Sequence, residues 1–114
     1  MKRSIRHFLE DALEYCEKAH KFVDNMTFEE FKSDEKTFLA VVRSLEIIGE
    51  ALKNIPDEIK NKYIGIPWRE IVGFRNTVAH AYFGIDAKIV YNSAKDDTIY
   101  LISLLKEVLK DIEE

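Results

Sequence analysis

The residue types with chemical reach gather in one stretch of this chain, Arg75-Asn76-Thr77-Val78-Ala79-His80-Ala81-Tyr82. Histidine titrates near neutrality and moves a proton as general acid or base. Arginine stays charged and offers a planar fork that suits phosphate oxygens. Asparagine orients an imidazole or donates to a phosphate. Together they suit metal-independent cleavage of RNA, with His80 assisting the 2′-hydroxyl and Arg75 holding the charge that develops on phosphorus. Asn76 joins them as the supporting polar residue. No Ser-His-Asp or reactive Cys arrangement accompanies them, no cluster has metal-ligand spacing, and no cofactor is called for.

These residues need an element to hold them. Pro67 suits the first turn of a helix running to about Phe83, with Gly84 as its stop. At ~100° per residue, Ile71, Phe74 and Val78 share the side that must face a core. Arg69, Gly73, Asn76 and His80 fall opposite, in steps of four, three and four. Solvated faces elsewhere in the chain carry Lys and Glu, so this stripe looks like a contact surface. Gly73 removes a side chain where a second backbone could approach. Arg69 and, more weakly, Thr77 are candidates for holding substrate. Arg75 and Tyr82 lie seven residues apart on a different edge, near the core border. Arg75 and His80 are therefore ~140° apart on an ideal helix. They join one site if Arg75 curls round, if the helix distorts, or if a symmetry mate supplies one of them. The geometry favours a site at a homodimer interface.

The rest of the chain reads as helices around that element. Ile5, Leu9, Ala12, Cys16, Ala19, Val23 and Met26 form one face of a long helix, flanked by Phe8, Tyr15 and Phe22. Thr27 with Glu30 is a capping box opening a short turn through Phe31. Ser33 or Asp34 caps a second long helix with core face Phe38, Val41, Leu45, Ile48, Leu52 and Ile55. Pro56 ends it and opens a short helix from Asp57 to Lys62. Asp86 caps the last helix, lined inside by Ala94, Leu101, Leu105, Val108 and Ile112. The charged tail from Lys106 to Glu114 is expected to fray. No stretch alternates with period two, so the fold class is all-α. Short connections favour an antiparallel up-and-down bundle of four main helices plus short helical turns.

A chain of 114 residues is expected to form one domain, 1–114, because two cores of that size would be too small. Seventeen basic and 21 acidic residues leave a net charge of -4, which excludes broad, sequence-blind attraction to a polyanion. Contact with RNA must come from a local basic site. The single Cys16 rules out an internal disulfide framework. No apolar run approaches the ~20 residues needed to cross a bilayer. No targeting segment is visible either, so no membrane is involved and the cytoplasm is the expected compartment.

Arg75-Asn76-x3-His80-x-Tyr82 resembles the Arg-x4-His-x-Tyr motif of the HepT toxins, helical ribonucleases of the HEPN superfamily. Three flanking blocks are similar too: Leu45-Glu46-Ile47-Ile48-Gly49-Glu50-Ala51, Ile66-Pro67-Trp68-Arg69-Glu70-Ile71 and Tyr82-Phe83-Gly84-Ile85-Asp86. The likeness runs from about residue 4 to 112. It implies an antiparallel bundle that dimerises, with two active sites in a cleft between protomers. It implies that Arg75 and His80 are required for metal-independent RNA cleavage and that Asn76 supports them. It also implies a partner, a minimal nucleotidyltransferase (MntA) encoded alongside, which neutralises the toxin by transferring AMP to Tyr82. Relatives often carry a basic residue after the Asn; Thr77 stands there, which should weaken the hold on RNA.

The remaining candidates read more simply as structure. His7 and His20 lack partners at useful spacing, and Cys16 sits on the core stripe. Arg43, Glu46 and Glu50 are better read as a solvated face than as an ion-pair row beside a cleft. Trp68 and Phe83 are better read as packing than as base-stacking residues. Three functions are open at this point: a ribonuclease toxin, a non-catalytic dimeric binding module of a nucleotidyltransferase, and a purely structural dimer. The intact Arg75/His80 pair speaks against the third.

Overall fold

The computed structural model describes residues 4–69, 71 and 87–112. The bundle is all-helical, with no strand among these residues. Helix α1 spans Ile5–Val23 and starts where Ser4, in extended conformation, accepts a hydrogen bond at its Oγ from the His7 N–H at 3.2 Å. Its buried residues are Leu9, Ala12, Cys16, Ala19 and Val23, stepping by three and four as the sequence indicates. The helix stops before Met26, which packs on the core from the following turn, where its N–H donates to the Val23 carbonyl. Burial thus continues the apolar stripe after helical geometry has ended.

Helix α2, Phe28–Lys32, opens with the full capping box. The Glu30 N–H donates to Thr27 Oγ1 at 3.1 Å, and the Thr27 N–H donates to Glu30 Oε1 at 2.8 Å. This one turn plugs Phe31 into the core with no exposure at all. Ser33 closes α2, leaving Asp34 to cap α3, Glu35–Leu52. Asp34 accepts from both the backbone N–H and the hydroxyl of Thr37, which holds its carboxyl below the usual range. Buried positions on α3 run through Val41, Val42, Ser44, Leu45, Ile48, Gly49, Ala51 and Leu52. At ~100° per residue they cover about half the helix circumference. So broad an arc follows from packing against α1, α2 and α5 (Ala87–Asn92) together. Ile55 is buried beyond the helix end, in the turn leading to Pro56 and α4, Asp57–Lys62.

After α5 the chain passes through a π-helical turn, Ser93–Asp97, into α6, Thr98–Asp111. Sequence periodicity gives no sign of this turn. It widens the helix so that the Thr98 N–H reaches back to the Ser93 carbonyl. Side chains take up neighbouring carbonyls: Thr98 Oγ1 donates to Ala94 at 2.5 Å, and His20 Nδ1 lies 3.1 Å from the Lys95 carbonyl. Ala94, Leu101, Leu105 and Val108 form the inner face as expected, with Val90 and Tyr91 added.

Helices α1 and α6 run antiparallel, tied at both ends. His20 reaches Lys95 at one end. At the other, Arg6 Nη2 donates to the carbonyls of Leu109 at 3.1 Å and Ile112 at 2.8 Å. The expectation of a fraying tail is therefore corrected for residues 106–111, where α6 is helical; the tail's last two residues lie outside the described ones. Leu105 and Val108 are fully buried, and a cation from α1 satisfies carbonyls that a helix end would otherwise leave open. Arg6→Ala is expected to cost about 1–2 kcal/mol of stability. It should also speed amide exchange in the last turn of α6 more than in α3. Unchanged exchange there would contradict the clasp.

Candidate active site

The segment that leads to the motif is anchored residue by residue. Tyr63 ends α4, and its hydroxyl donates to Asp111 Oδ2 at 2.8 Å, which raises the phenol's pKa. The Ile66 N–H returns to the Tyr63 carbonyl, and the indole of Trp68 donates to that same oxygen at 3.1 Å. Ile66 and Trp68 are buried, so Trp68 is a packing residue here. Pro67 then opens a helix as expected: residues 68, 69 and 71 are helical, and the Ile71 N–H donates to the Pro67 carbonyl at 3.0 Å. Ile71 packs on the core while Arg69 is exposed. The rotational phase at the start of this helix is the one the wheel requires.

Arg75, Asn76, Thr77, His80 and Tyr82 lie outside the described residues, as do Gly73, Phe74, Val78, Phe83, Gly84 and Asp86. Of the candidate site residues, only Arg69 is described. It is exposed, while Trp68 is buried and Ile71 packs against the core.

Beside this helix start lies a groove of about 390 Å³. Leu45 and Ile48 of α3, Pro67, Ile71 and Leu101 give it apolar walls, and Ser93 and Asp97 of the π turn enter from one side. Asp97 is its one charged lining residue among those described. The π turn therefore presents a carboxylate and a hydroxyl to the groove that adjoins the motif-bearing segment. His20 supports that turn from α1, while its Nε2 lies 3.4 Å from Asp24 Oδ1. Its role is structural, as expected. Its partner stands 75 residues away in sequence, so spacing along α1 gave no hint of it.

Two further candidates resolve as structure. Cys16 is fully buried, and burial pushes its thiol up to about 12, with Glu17 adding to the effect, so no thiolate nucleophile is available. Arg43 and Glu50 are exposed and approach only to 3.9 Å, while Glu46 is half-buried. This is a solvated face with one loose ion pair, a contact of little energetic weight. Among the described residues no helix is long and apolar enough to cross a membrane.

The chain matches the model of a protein family described as Ribonuclease HepT-like over residues 12–108, a span that contains the whole Arg75–Tyr82 segment. It is 46% identical over 97 residues to a protein of Thermococcus cleftensis named "Probable ribonuclease HepT", covering 85% of this chain and 88% of the relative. It is 42% identical over 112 residues to a "Putative RNase" of Methanocaldococcus jannaschii, covering 98% and 93%. A "Putative RNase" of Caldanaerobacter subterraneus is 40% identical over 108 residues, covering 95% and 96%. No solved structure matches the chain.

Proposed function

Because this chain belongs to the Ribonuclease HepT-like family, we propose that it is an endoribonuclease toxin that cuts RNA without a metal ion, through Arg75 and His80. The observation that carries the reading is the Arg75-x4-His80 pair inside the span matched by the family model. The helix phase supports it. With Ile71 inward and Arg69 outward, continuing at ~100° per residue brings Asn76 and His80 round to the side of Arg69. In the proposed reaction His80 takes the proton of a ribose 2′-hydroxyl, whose oxygen attacks the adjacent phosphorus. The 5′-oxygen leaves and takes a proton from solvent to become the 5′-hydroxyl, while Arg75 neutralises the charge gathering on the phosphoryl oxygens and His80 returns its proton to solvent. Asn76 orients the imidazole.

The Arg69/Gly73/Asn76/His80 stripe faces a cleft between two copies of the chain. That arrangement brings Arg75 and His80 together despite their separation on one helix. A nucleotidyltransferase partner silences the toxin by adding AMP to Tyr82.

The test is cleavage of RNA by the purified protein in excess chelator. The expected outcome is activity that survives EDTA and leaves a 2′,3′-cyclic phosphate opposite a 5′-hydroxyl. Activity lost in EDTA and restored by magnesium would sink the mechanism. RNA bound but never cut would leave a binding module in place of an enzyme.

A further inference from the structure

A chain of net charge -4 needs a local basic site to hold RNA. The segment from α3 into the helix at Pro67 supplies Lys53, Lys60, Lys62 and Arg69 against Asp57, Glu58 and Glu70. Five of the other described cations have a partner. Arg6 lies 3.7 Å from Glu10 and Arg43 lies 3.9 Å from Glu50, while Lys18 meets Glu14 at 2.7 Å. Lys88 sits over the Phe28 ring, and Lys95 donates to the Tyr91 hydroxyl. Arg69 is the one arginine among the described residues with no carboxylate within salt-bridge distance, and Lys60 has none either.

Lys60 and Arg69 line the same open hollow, of about 470 Å³, with Asn61 between α4 and the helix start. Its floor is fixed in advance. The Ile66 N–H and the Trp68 indole both close on the Tyr63 carbonyl, the Trp68 N–H donates to the Ile66 carbonyl at 2.8 Å, and the Tyr100 hydroxyl donates to the Gly65 carbonyl at 3.4 Å. Ile64 stands on the rim, 85% exposed, an apolar surface beside two cations. Lys60 is half-buried and lines the hollow, as a long side chain does when its methylenes pack and its charge stays hydrated.

We propose that Lys60, Asn61 and Arg69 form a binding site for the sugar–phosphate backbone of single-stranded RNA, feeding the strand to the motif; this rests on the ribonuclease reading. The arginine fork and the ammonium take neighbouring phosphates, Asn61 donates to a phosphate or ribose oxygen, and Ile64 meets the face of an unstacked base. Arg69 belongs to the sequence segment that carries Arg75 and His80, so a strand held here is held beside the proposed chemistry. The site is a positioning device, and it tightens substrate without touching the reacting atoms.

The test measures binding of a 2′-O-methylated single-stranded RNA oligonucleotide, which the proposed reaction does not cut, to the full chain across a salt series. Cleavage of unmodified RNA is followed in parallel. Lys60→Glu/Arg69→Glu is expected to weaken binding about tenfold or more and to flatten the salt dependence by about 1.4 in log–log slope, the equivalent of two phosphate contacts. It should raise KM with kcat kept. Lys60→Arg/Arg69→Lys should bind as the wild type does, and Lys32→Glu/Lys36→Glu, with the same change of net charge, should bind nearly as well. Sedimentation and thermal melting check that each variant keeps its assembly and fold. If the wild type cleaves RNA and the Lys60/Arg69 reversal binds equally well, the site is wrong while the ribonuclease reading stands. Equal loss in the Lys32/Lys36 control also overturns it, since bulk charge then explains the effect. A wild type that neither binds nor cuts RNA brings down the ribonuclease reading and this site with it.

Discussion

His80→Ala is expected to lower RNA cleavage about a thousandfold, within the range that a positioned acid–base group contributes. Arg75→Ala should fall by a similar factor, because removing one charge stabiliser costs about 10²–10³. The double variant should be little worse than either single one, since residues that act on one transition state lose their effect together. Binding should separate the two. Arg75→Ala weakens the hold on RNA, while His80→Ala binds the oligonucleotide almost normally, because a neutral imidazole adds little to phosphate affinity. Neither change should unfold the bundle, whose cluster of Leu9, Phe31, Val41, Leu52, Leu105 and Val108 is closed without them. Cleavage rates and melting curves on the same preparations decide the matter. A His80→Ala protein that cuts RNA at the wild-type rate would remove His80 from the mechanism. Loss of melting cooperativity would move it to a structural role.

Incubating the chain with the proposed nucleotidyltransferase partner and ATP is expected to add one AMP per chain and to abolish cleavage, and Tyr82→Phe is expected to escape both. Tyr82 stands two residues beyond His80 and directly before Phe83-Gly84. In the proposed step the phenol oxygen attacks the α-phosphorus of ATP, pyrophosphate leaves, and the phenolic proton passes to the medium. The new phosphodiester brings a negative charge to the neighbourhood of Arg75, where it competes with RNA phosphate. The nucleotide also fills space that the strand needs. Both effects silence the enzyme with no change in the core, so the modified chain should melt as the unmodified one does. Tyr82→Phe should keep cleaving RNA, since the phenol takes no part in the proton transfer. Intact mass and a cleavage assay on the same samples read both results. Equal gain of AMP by Tyr82→Phe would place the modification on another residue. Full activity after complete modification would leave Tyr82 outside control.

The class of fold and its inner faces were legible because burial and helical period act locally. Leu9, Ala12, Cys16, Ala19 and Val23 step by three and four along the chain, and the same five are buried in α1. The Thr27–Glu30 capping box and the helix opened by Pro67 follow from hydrogen bonds within three or four residues, and sequence carries such information directly. The motif was legible for a similar reason, as types and spacing within eight residues. What only the tertiary structure decided involves partners far apart in the chain. Met26 and Ile55 continue an apolar stripe but lie beyond their helices, because packing buries a side chain whatever its backbone conformation. The end of α6 is ordered because Arg6, more than a hundred residues earlier, caps its carbonyls. The π turn at Ser93–Asp97 is supported by His20 from α1, a contact 75 residues apart in sequence that spacing along α1 does not reveal.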